Sequence, residues 1–322
     1  MSDIKDFVFT EPKGKYYKEY LNACREAIEC NDTEWMPVKK ENIKYFRFLA
    51  PLMYRRLKSG KNLPDGYPQT FTYWCFKNGR YIGECQLRPY LKDEQIRSLG
   101  HIGYSVRPSC RGKGFGQIIL VFAIKKLSEL GVCPIYASCH KENTVSLHCL
   151  SKSGFRRAGE YKDEAGKPIY EYELRYEKDG DVIHPCEISC GAVVYTTVHG
   201  VVKYAVISSF TGDRGFPKGH IERGETEKQT ALREVKEEIG VDATLLDGFC
   251  EQTSFYLPRK QNVLKRVTYF LAYYENQPLI PQLAEVADVR LMSYDAAMSV
   301  LRHADSKSLL YKANAYITEN MQ

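Results

Sequence analysis

No stretch of the 322 residues approaches the ~18 consecutive apolar residues that a membrane helix requires. The expectation is a chain with no membrane partner. No block of Lys and Arg resembles a nucleic-acid-binding arm, and a formal net charge of +6 is too small to argue for a nucleic-acid partner by itself. The opening MSDIKDFVFTEPKGK is charged and lacks the apolar core of a secretion signal. Cysteine is not scarce, but the count of 11 is odd. With no secretory segment, the expected state is reduced thiols in a cytoplasmic protein. Zinc-type spacing is missing too. Cys139, His140, His148 and Cys149 crowd into CHKENTVSLHC, where adjacent Cys-His pairs cannot easily turn toward one ion. Buried thiols are the expectation there. There is also no internal repeat and no low-complexity tract.

What is present is ordinary globular material, 43% hydrophobic and 27% charged. A chain of this length exceeds one typical core, so two domains are expected. KDGDVIHP, polar, Gly-containing and Pro-terminated, is the best linker candidate. It gives an N-terminal domain over 1–178, a linker over 179–186 and a C-terminal domain over 187–322. Apolar residues at three- and four-residue steps predict helices over 16–30 and 41–58. FTYWCF and YIGECQL then read as strands around the hairpin signal Asn78-Gly79. Strand HIGYSV, a glycine loop, an apolar helix closed by Gly131, strand PIYASC, a helix ended by Gly154 and two further strands follow. The N-terminal half is therefore α/β (α+β), a mixed sheet with flanking helices. After the linker, strands around His199-Gly200, a charged helix over 226–239, two more strands and two closing helices complete the chain.

The charged helix is GHIERGETEKQTALREVKEEIGV, residues 219–241. At 100 degrees per residue, Glu234, Glu237 and Glu238 share one face, with Glu227 on the same stripe. Ala231, Leu232, Val235 and Ile239 share the neighbouring face, suited to a sheet. Like charges at i,i+4 cost about 0.2–0.5 kcal/mol each in a helix. Two readings stand on the residues alone. Lys228, Arg233 and Lys236 neutralise a solvated face, or the carboxylates collect a cation that prefers oxygen ligands, Mg²⁺ or Mn²⁺.

The spacing from Gly219 through Glu225 to Arg233-Glu234-Val235-Lys236-Glu237-Glu238-Ile239-Gly240-Val241 resembles the complete Nudix hydrolase signature. The resemblance implies an αβα sandwich and a metal-dependent pyrophosphohydrolase acting on a nucleoside diphosphate linked to another group. It further implies that Glu234, Glu237, Glu238 and the Gly219 carbonyl ligate metal. Arg233 would orient the carboxylates, and Glu225 would brace loop and helix. Glu285, before ADVRLM, sits where related enzymes place a further catalytic carboxylate. GFPKGHIERGE resembles the start of the diadenosine tetraphosphate hydrolase branch. That likeness would put Lys218 and His220 near phosphates and let Tyr256 stack a base. On the residues alone, the three read equally as a solvated lysine, a turn histidine and a core tyrosine. The second motif expected of coenzyme A pyrophosphatases is missing.

Earlier, Arg111-Gly112-Lys113-Gly114-Phe115-Gly116 joins a strand to a helix. Such a loop lets backbone N–H groups converge on an anion at a helix N-terminus. It lacks the Gly-Lys-Ser/Thr of nucleoside triphosphate loops. With HIGYSVRP before it and SCHKENTVSLHCLSKSGF after it, residues 40–177 resemble the GNAT acetyltransferases. That implies acetyl-CoA, its pyrophosphate on the amides from Gly112 to Gly116 with Arg111 and Lys113 beside it, and Asn143 leading into the next helix. The backbone from Tyr104 to Val106 would run beside the pantetheine, with the Val106 N–H near the thioester carbonyl. Glu84 and His101 are candidate bases. Where many relatives carry a tyrosine acid, this chain has Leu150, so Tyr104, Tyr161 or water would have to serve.

The expected protein is thus a bifunctional enzyme. It joins a Nudix pyrophosphohydrolase acting on a nucleotide-type small molecule to an acetyltransferase of unknown amine acceptor. Two other arrangements fit the same residues. In one, the N-terminal domain is a coenzyme A-binding regulatory module. In the other, it is an inert partner of a house-cleaning nucleotide pyrophosphatase. Oligomeric state is not legible.

Overall fold

Alternation along FTYWCFK sends Trp74 and Phe76 to one face of a sheet and Tyr73 and Cys75 to the other, and both faces are covered. The computed structural model describes residues 6–32, 36, 40–257 and 263–320. The chain divides into two units, Met1–Pro185 and Cys186–Gln322.

In the first unit, strand β1 (Phe7–Thr10) is followed by helices α1 (Tyr17–Glu29) and α2 (Phe46–Ser59), then β2 (Phe71–Lys77), β3 (Arg80–Leu87), helix α3 (Asp93–Leu99) and β4 (Ile102–Val106). Helix α4 (Phe115–Glu129), β5 (Ile135–His140), α5 (Thr144–Lys152), β6 (Arg156–Lys162) and β7 (Pro168–Asp179) complete it. Strands β1 to β4 form an antiparallel sheet in chain order, and β7 pairs with both β5 and β6. Strands β4 and β5 do not form a ladder; they meet at a single bridge, Gly100 to Ala137, and leave a cleft between them. Helices α1 and α2 cover one face of the sheet with Tyr20, Phe46 and Ala50 against Trp74 and Tyr81. Helices α4 and α5 cover the other with Ile119, Leu120, Ala123 and Leu150. The Asn78-Gly79 turn forms as its sequence predicts, with φ of 51° and 75°.

The segment expected as a linker is instead a tight hairpin. β7 runs through Asp179, Gly180 turns at φ 56°, and β8 (Val182–Val198) begins two residues later. Its polar composition belongs to exposed strand ends. Helix α3 was not expected, because its one buried residue, Ile96, leaves too short an apolar pattern to read.

The second unit continues β8 with β9 (Val201–Ser208), β10 (Arg214–Gly215), β11 (Lys218–His220), helix α6 (Glu227–Ile239), β12 (Thr244–Tyr256), β13 (Leu264–Tyr273), β14 (Asp288–Met292), α7 (Tyr294–Val300) and α8 (Ala304–Asn320). Strand β8 pairs in parallel with β13 and antiparallel with β9 and β11. Its residues alternate. Ala192 and Val194 pack toward Val235 and Ile239 of α6, while Val193 and Tyr195 pack toward Leu309, Leu310 and Ala313 of α8. The result is an αβα sandwich. Thr226 caps α6, accepting from the Gln229 N–H at 3.3 Å, and Gly240 ends it at φ 79°. The eleven cysteines are all free thiols. Among the described residues no helix is long and apolar enough to cross a membrane.

Candidate active sites

Helix α6 carries Glu234 and Glu238 one turn apart on its inner face, where both are buried. Glu285 reaches them from the loop before β14. That loop is tied to the end of α6: Ile280 N–H donates to the Ile239 carbonyl at 2.9 Å and Gln282 N–H to the Glu238 carbonyl at 3.2 Å. Buried Val286 anchors its far side. One oxygen from each of Glu234, Glu238 and Glu285 lies within 4.8 Å of the others. Among the described residues this is the one group of His, Cys, Asp or Glu so placed, and the Cys139–Cys149 cluster is not one.

Burial raises the Glu238 carboxyl to about 7, opposed by Lys218 and reinforced by Glu234 and Glu285. Burial also raises Glu234, with Arg233 opposing. Three converging carboxylates, two of them buried, are the oxygen donor set that a hard divalent ion suits. Gly219 is part of the same enclosure. A Cβ there would stand 2.1 Å from the Glu234 carboxyl carbon, so only glycine lets the β11 backbone approach that carboxylate.

Arg233 organises the surround. Its Nε donates to Glu225 Oε1 at 2.6 Å, and its two terminal nitrogens donate to Glu234 at 2.6 Å, Glu237 at 2.9 Å and the His220 carbonyl at 2.9 Å. Glu225 also accepts from the Thr230 hydroxyl at 2.8 Å and the Glu222 N–H at 3.0 Å. The Arg233 bond, foremost, holds its carboxyl down at about 2. Glu237 stands apart from the inner three, half exposed on the outer side of Arg233.

A cavity of about 470 Å³ adjoins the carboxylates, lined by Lys218, Arg214, Phe255, Tyr269 and the start of α8 at His303 and Asp305. Lys218 also donates its backbone N–H to Glu238 at 3.2 Å. Two expected residues are elsewhere. The His220 ring turns to β8, with Nε2 3.5 Å from Glu187. Tyr256 is 63% exposed and is not among the cavity residues. Strand alternation puts Thr253 and Phe255 on the cavity side and Tyr256 on the other. Phe255 is the aromatic residue of β12 that lines the cavity, and its alternation with Thr253 two positions earlier is the pattern in the sequence that carries this.

In the first unit the cleft between β4 and β5 has a volume of about 270 Å³. Arg88 N–H donates to the His101 carbonyl and Arg107 N–H to the Ile82 carbonyl. Antiparallel alternation then turns the N–H groups of Tyr104 and Val106 away from β3, toward the cleft. The loop after β4 holds Gly112 and Gly114 at φ 72° and 78°, and Gly114 caps α4 with its N–H groups facing outward. Arg111 donates to the Val106 carbonyl at 3.0 Å and pairs with Asp32, while Lys113 reaches the Ser109 carbonyl at 2.9 Å. Phe115 packs edge-on to Phe7, so its side chain belongs to the core. Gly116 lies against the Tyr104 ring. Asn143 caps α5 and lines the cleft.

The base and acid candidates separate clearly. Glu84 is enclosed, accepting from Trp74 Nε1 and the Tyr81 hydroxyl at 3.1 Å each, and burial raises it to about 7. His101 Nδ1 accepts the Tyr136 N–H at 2.9 Å, so that nitrogen is taken. The Tyr104 hydroxyl lies in the cleft, 3.0 Å from Ser146 Oγ, with its pKa raised by burial. Tyr161 does not line the cleft, whereas Leu150 does.

An αβα sandwich on which two buried glutamates of one helix meet a third from a loop, and a split sheet with a glycine loop at its mouth, belong to a two-enzyme chain: a hydrolase joined to an acyltransferase. The NUDIX domain model matches residues 200–313 and the Acetyltransferase (GNAT) domain model residues 29–156. Pig bis(5'-nucleosyl)-tetraphosphatase (asymmetrical) is 33% identical over 105 residues, covering 31% of this chain and 69% of that protein. The Caenorhabditis elegans protein of the same name is 27% identical over 133 residues, 40% of this chain and 95% of that one. A crystal structure of a C. elegans Ap4A hydrolase binary complex aligns at 25% identity and a TM-score of 0.39, over 41% of this chain and 98% of that one. The chain belongs to the Nudix hydrolase family, with a GNAT acetyltransferase domain preceding the Nudix domain.

Proposed function

We propose that the second unit is a Mg²⁺- or Mn²⁺-dependent pyrophosphohydrolase for a nucleoside diphosphate-linked substrate of the dinucleoside polyphosphate type. The observation that carries this is the convergence of Glu234, Glu238 and Glu285 beside the Lys218 cavity. A bound divalent ion would polarise the anhydride and ready a water for attack on phosphorus. The chain's own part follows from its geometry. Glu234, Glu238 and the Gly219 carbonyl form the inner enclosure. Glu285, the exposed member of the three, is the carboxylate able to take the water's proton. Arg233 fixes Glu234 and holds Glu237 as an outer carboxylate. Lys218 and Arg214 bring positive charge to the phosphate chain, and Phe255 offers a ring to a base. The names of the pig and nematode relatives support this substrate class. His220 and Tyr256 have no part in it.

For the first unit we propose acetyl transfer from acetyl-CoA to an amine. The loop residues fit the cofactor: two left-handed glycines with open space above them present the amides of Gly112–Gly116 at the start of α4. Bound acetyl-CoA would supply an activated thioester. The Tyr104 and Val106 N–H groups would stabilise charge on its carbonyl, and the Tyr104 hydroxyl would return a proton to the leaving thiolate. Leu150, buried in the cleft where a tyrosine acid is common, favours a second reading in which this unit binds the cofactor and regulates the hydrolase.

Product analysis with dinucleoside polyphosphates, nucleoside diphosphate conjugates and capped RNA ends tests the first part. Mg²⁺-dependent anhydride cleavage of the first class is expected, and cleavage without added divalent ion would overturn it. Following thiol release beside hydrolysis during an acetyl-CoA titration tests the second. Thiol release with an amine supports transfer, and a change in hydrolysis alone supports regulation.

A further inference from the structure

The cleft between β4 and β5 holds a charge that acetyl-CoA itself does not answer. Glu84 and Gln86 share one face of β3, Arg88 continues that alternation one residue past its end, and Gln86 pairs with Gly103 of β4. The Arg88 guanidinium lies over Gly103, where a Cβ would come within 3.2 Å of one terminal nitrogen and 3.3 Å of the other. Tyr104, the next residue, faces the opposite side and meets α5. The cleft therefore reaches both faces of the sheet, with Tyr104 at one side and Arg88 at the other.

Among the described residues Arg88 has two hydrogen-bond partners, both neutral. It donates to Gln86 Oε1 at 2.9 Å and, weakly, to the Gly100 carbonyl at 3.5 Å. A guanidinium carries five N–H donors. Among the described residues no carboxylate pairs with it, and no Asp or Glu lines the cleft. The nearest acid along the strand, Glu84, is separated by Gln86, whose Nε2 donates to Glu84 Oε1 at 3.3 Å. Burial pulls Arg88 down to about 10, so it is still cationic at neutral pH, and no neighbouring charge enters that shift. A desolvated cation without a counter-ion is costly unless something else supplies the negative charge. Of the rest of the lining, the Asn143 amide and the Ser146 hydroxyl add polar groups, while Ser98 and Ser138 donate their hydroxyls to the Glu94 and Arg97 carbonyls.

We propose that Arg88 is a carboxylate-binding residue of this cleft, so that one of the two substrates of the acyl-transfer site carries a carboxylate beside its reacting group. The planar fork of arginine matches a carboxylate through paired N–H donors, which a solvent-exposed lysine would not reproduce. The carboxylate has two possible sources. It belongs to the acyl chain of a dicarboxylic acyl-CoA, or to an acceptor of the amino-acid kind. The inference rests on the reading of this cleft as an acyl-CoA site.

Calorimetric titration of the full chain separates the sources. One arm compares succinyl-CoA with acetyl-CoA. The other titrates free L-amino acids and the matching amino-acid amides, with and without saturating coenzyme A. A carboxylate preference of about ten-fold or more is expected in one arm, the size of one charge-assisted contact. It should fall to near unity in Arg88→Gln and be partly kept in Arg88→Lys, while the acetyl-CoA affinity of both variants stays within about two-fold of the parent. No preference in either arm, or a preference that survives Arg88→Gln, overturns the proposal. Should Arg88→Gln fail to fold, Arg88→Lys carries the test, and a preference there equal to the parent's counts against a role for the paired guanidinium donors. If acetyl-CoA does not bind at all, the acyl-transfer reading fails, and the amino-acid arm without coenzyme A still decides the role of Arg88.

Discussion

Glu84 and Glu225 are carboxyls driven in opposite directions, and the cause is visible at each. Glu225 meets a guanidinium and falls to about 2; Glu84 meets an indole, a phenol and an amide in a dry aromatic cluster and rises to about 7. For Glu84 the folded value lies above the ordinary 4.5. Between those values the native chain keeps a proton that the unfolded chain has released. Stability therefore falls as pH rises from about 4.5 to about 7, with a slope on the order of 1 kcal/mol per pH unit. Both tryptophans, Trp35 and Trp74, lie in the first unit's sequence, so urea unfolding followed by tryptophan fluorescence reads this directly. Glu84→Gln is expected to flatten the dependence over that window, and an unchanged slope would show that another group titrates. At this scale the sequence was legible where a motif dictates geometry. Glu225, Arg233, Glu234 and Glu238 are held as neighbours because helical spacing and one guanidinium bring them together. Arg88 carried no such signal, since its isolation depends on what β4 and β5 fail to place beside it.

Helix α6 and strand β12 are the elements on which the hydrolase site depends. Thr226→Ala removes the cap on α6 and should cost about 1 kcal/mol of stability, read as a lowered unfolding midpoint of the second unit with the affinity for Mg²⁺ little changed. Gly219→Ala acts differently. Its Cβ would displace the Glu234 carboxylate, so hydrolysis should fall by about two orders of magnitude or more while far-ultraviolet circular dichroism is kept. On β12, Phe255→Ala should raise KM about ten-fold for a nucleotide substrate, and Tyr256→Ala should leave it within about two-fold. The reverse pattern would mean that the strand presents its other face to the substrate. The elements themselves were largely readable: hairpin, caps and amphipathic helices follow local chemistry. The face of β12 was not, because its register comes from pairing with β13, and the same holds for the short strands β10, β11 and β14. The hairpin at Gly180 misled for a related reason, since exposed strand ends and linkers share a polar composition.

Across the whole molecule, one chain carries two candidate sites built by different means, a glycine loop at a helix start and three converging carboxylates. Each lies within its own unit, so each should lose its activity separately. The account stands most directly on the trio. Mg²⁺-dependent cleavage of a dinucleoside polyphosphate, followed by chromatography of the products, should drop by about three orders of magnitude or more in Glu238→Gln, while Glu237→Gln, altering the outer carboxylate, loses less. Acetyl-CoA affinity should be the same in both variants and the parent. Cleavage by Glu238→Gln at the parent rate and with the parent's Mg²⁺ dependence would contradict the assignment of Glu234, Glu238 and Glu285 as the catalytic centre.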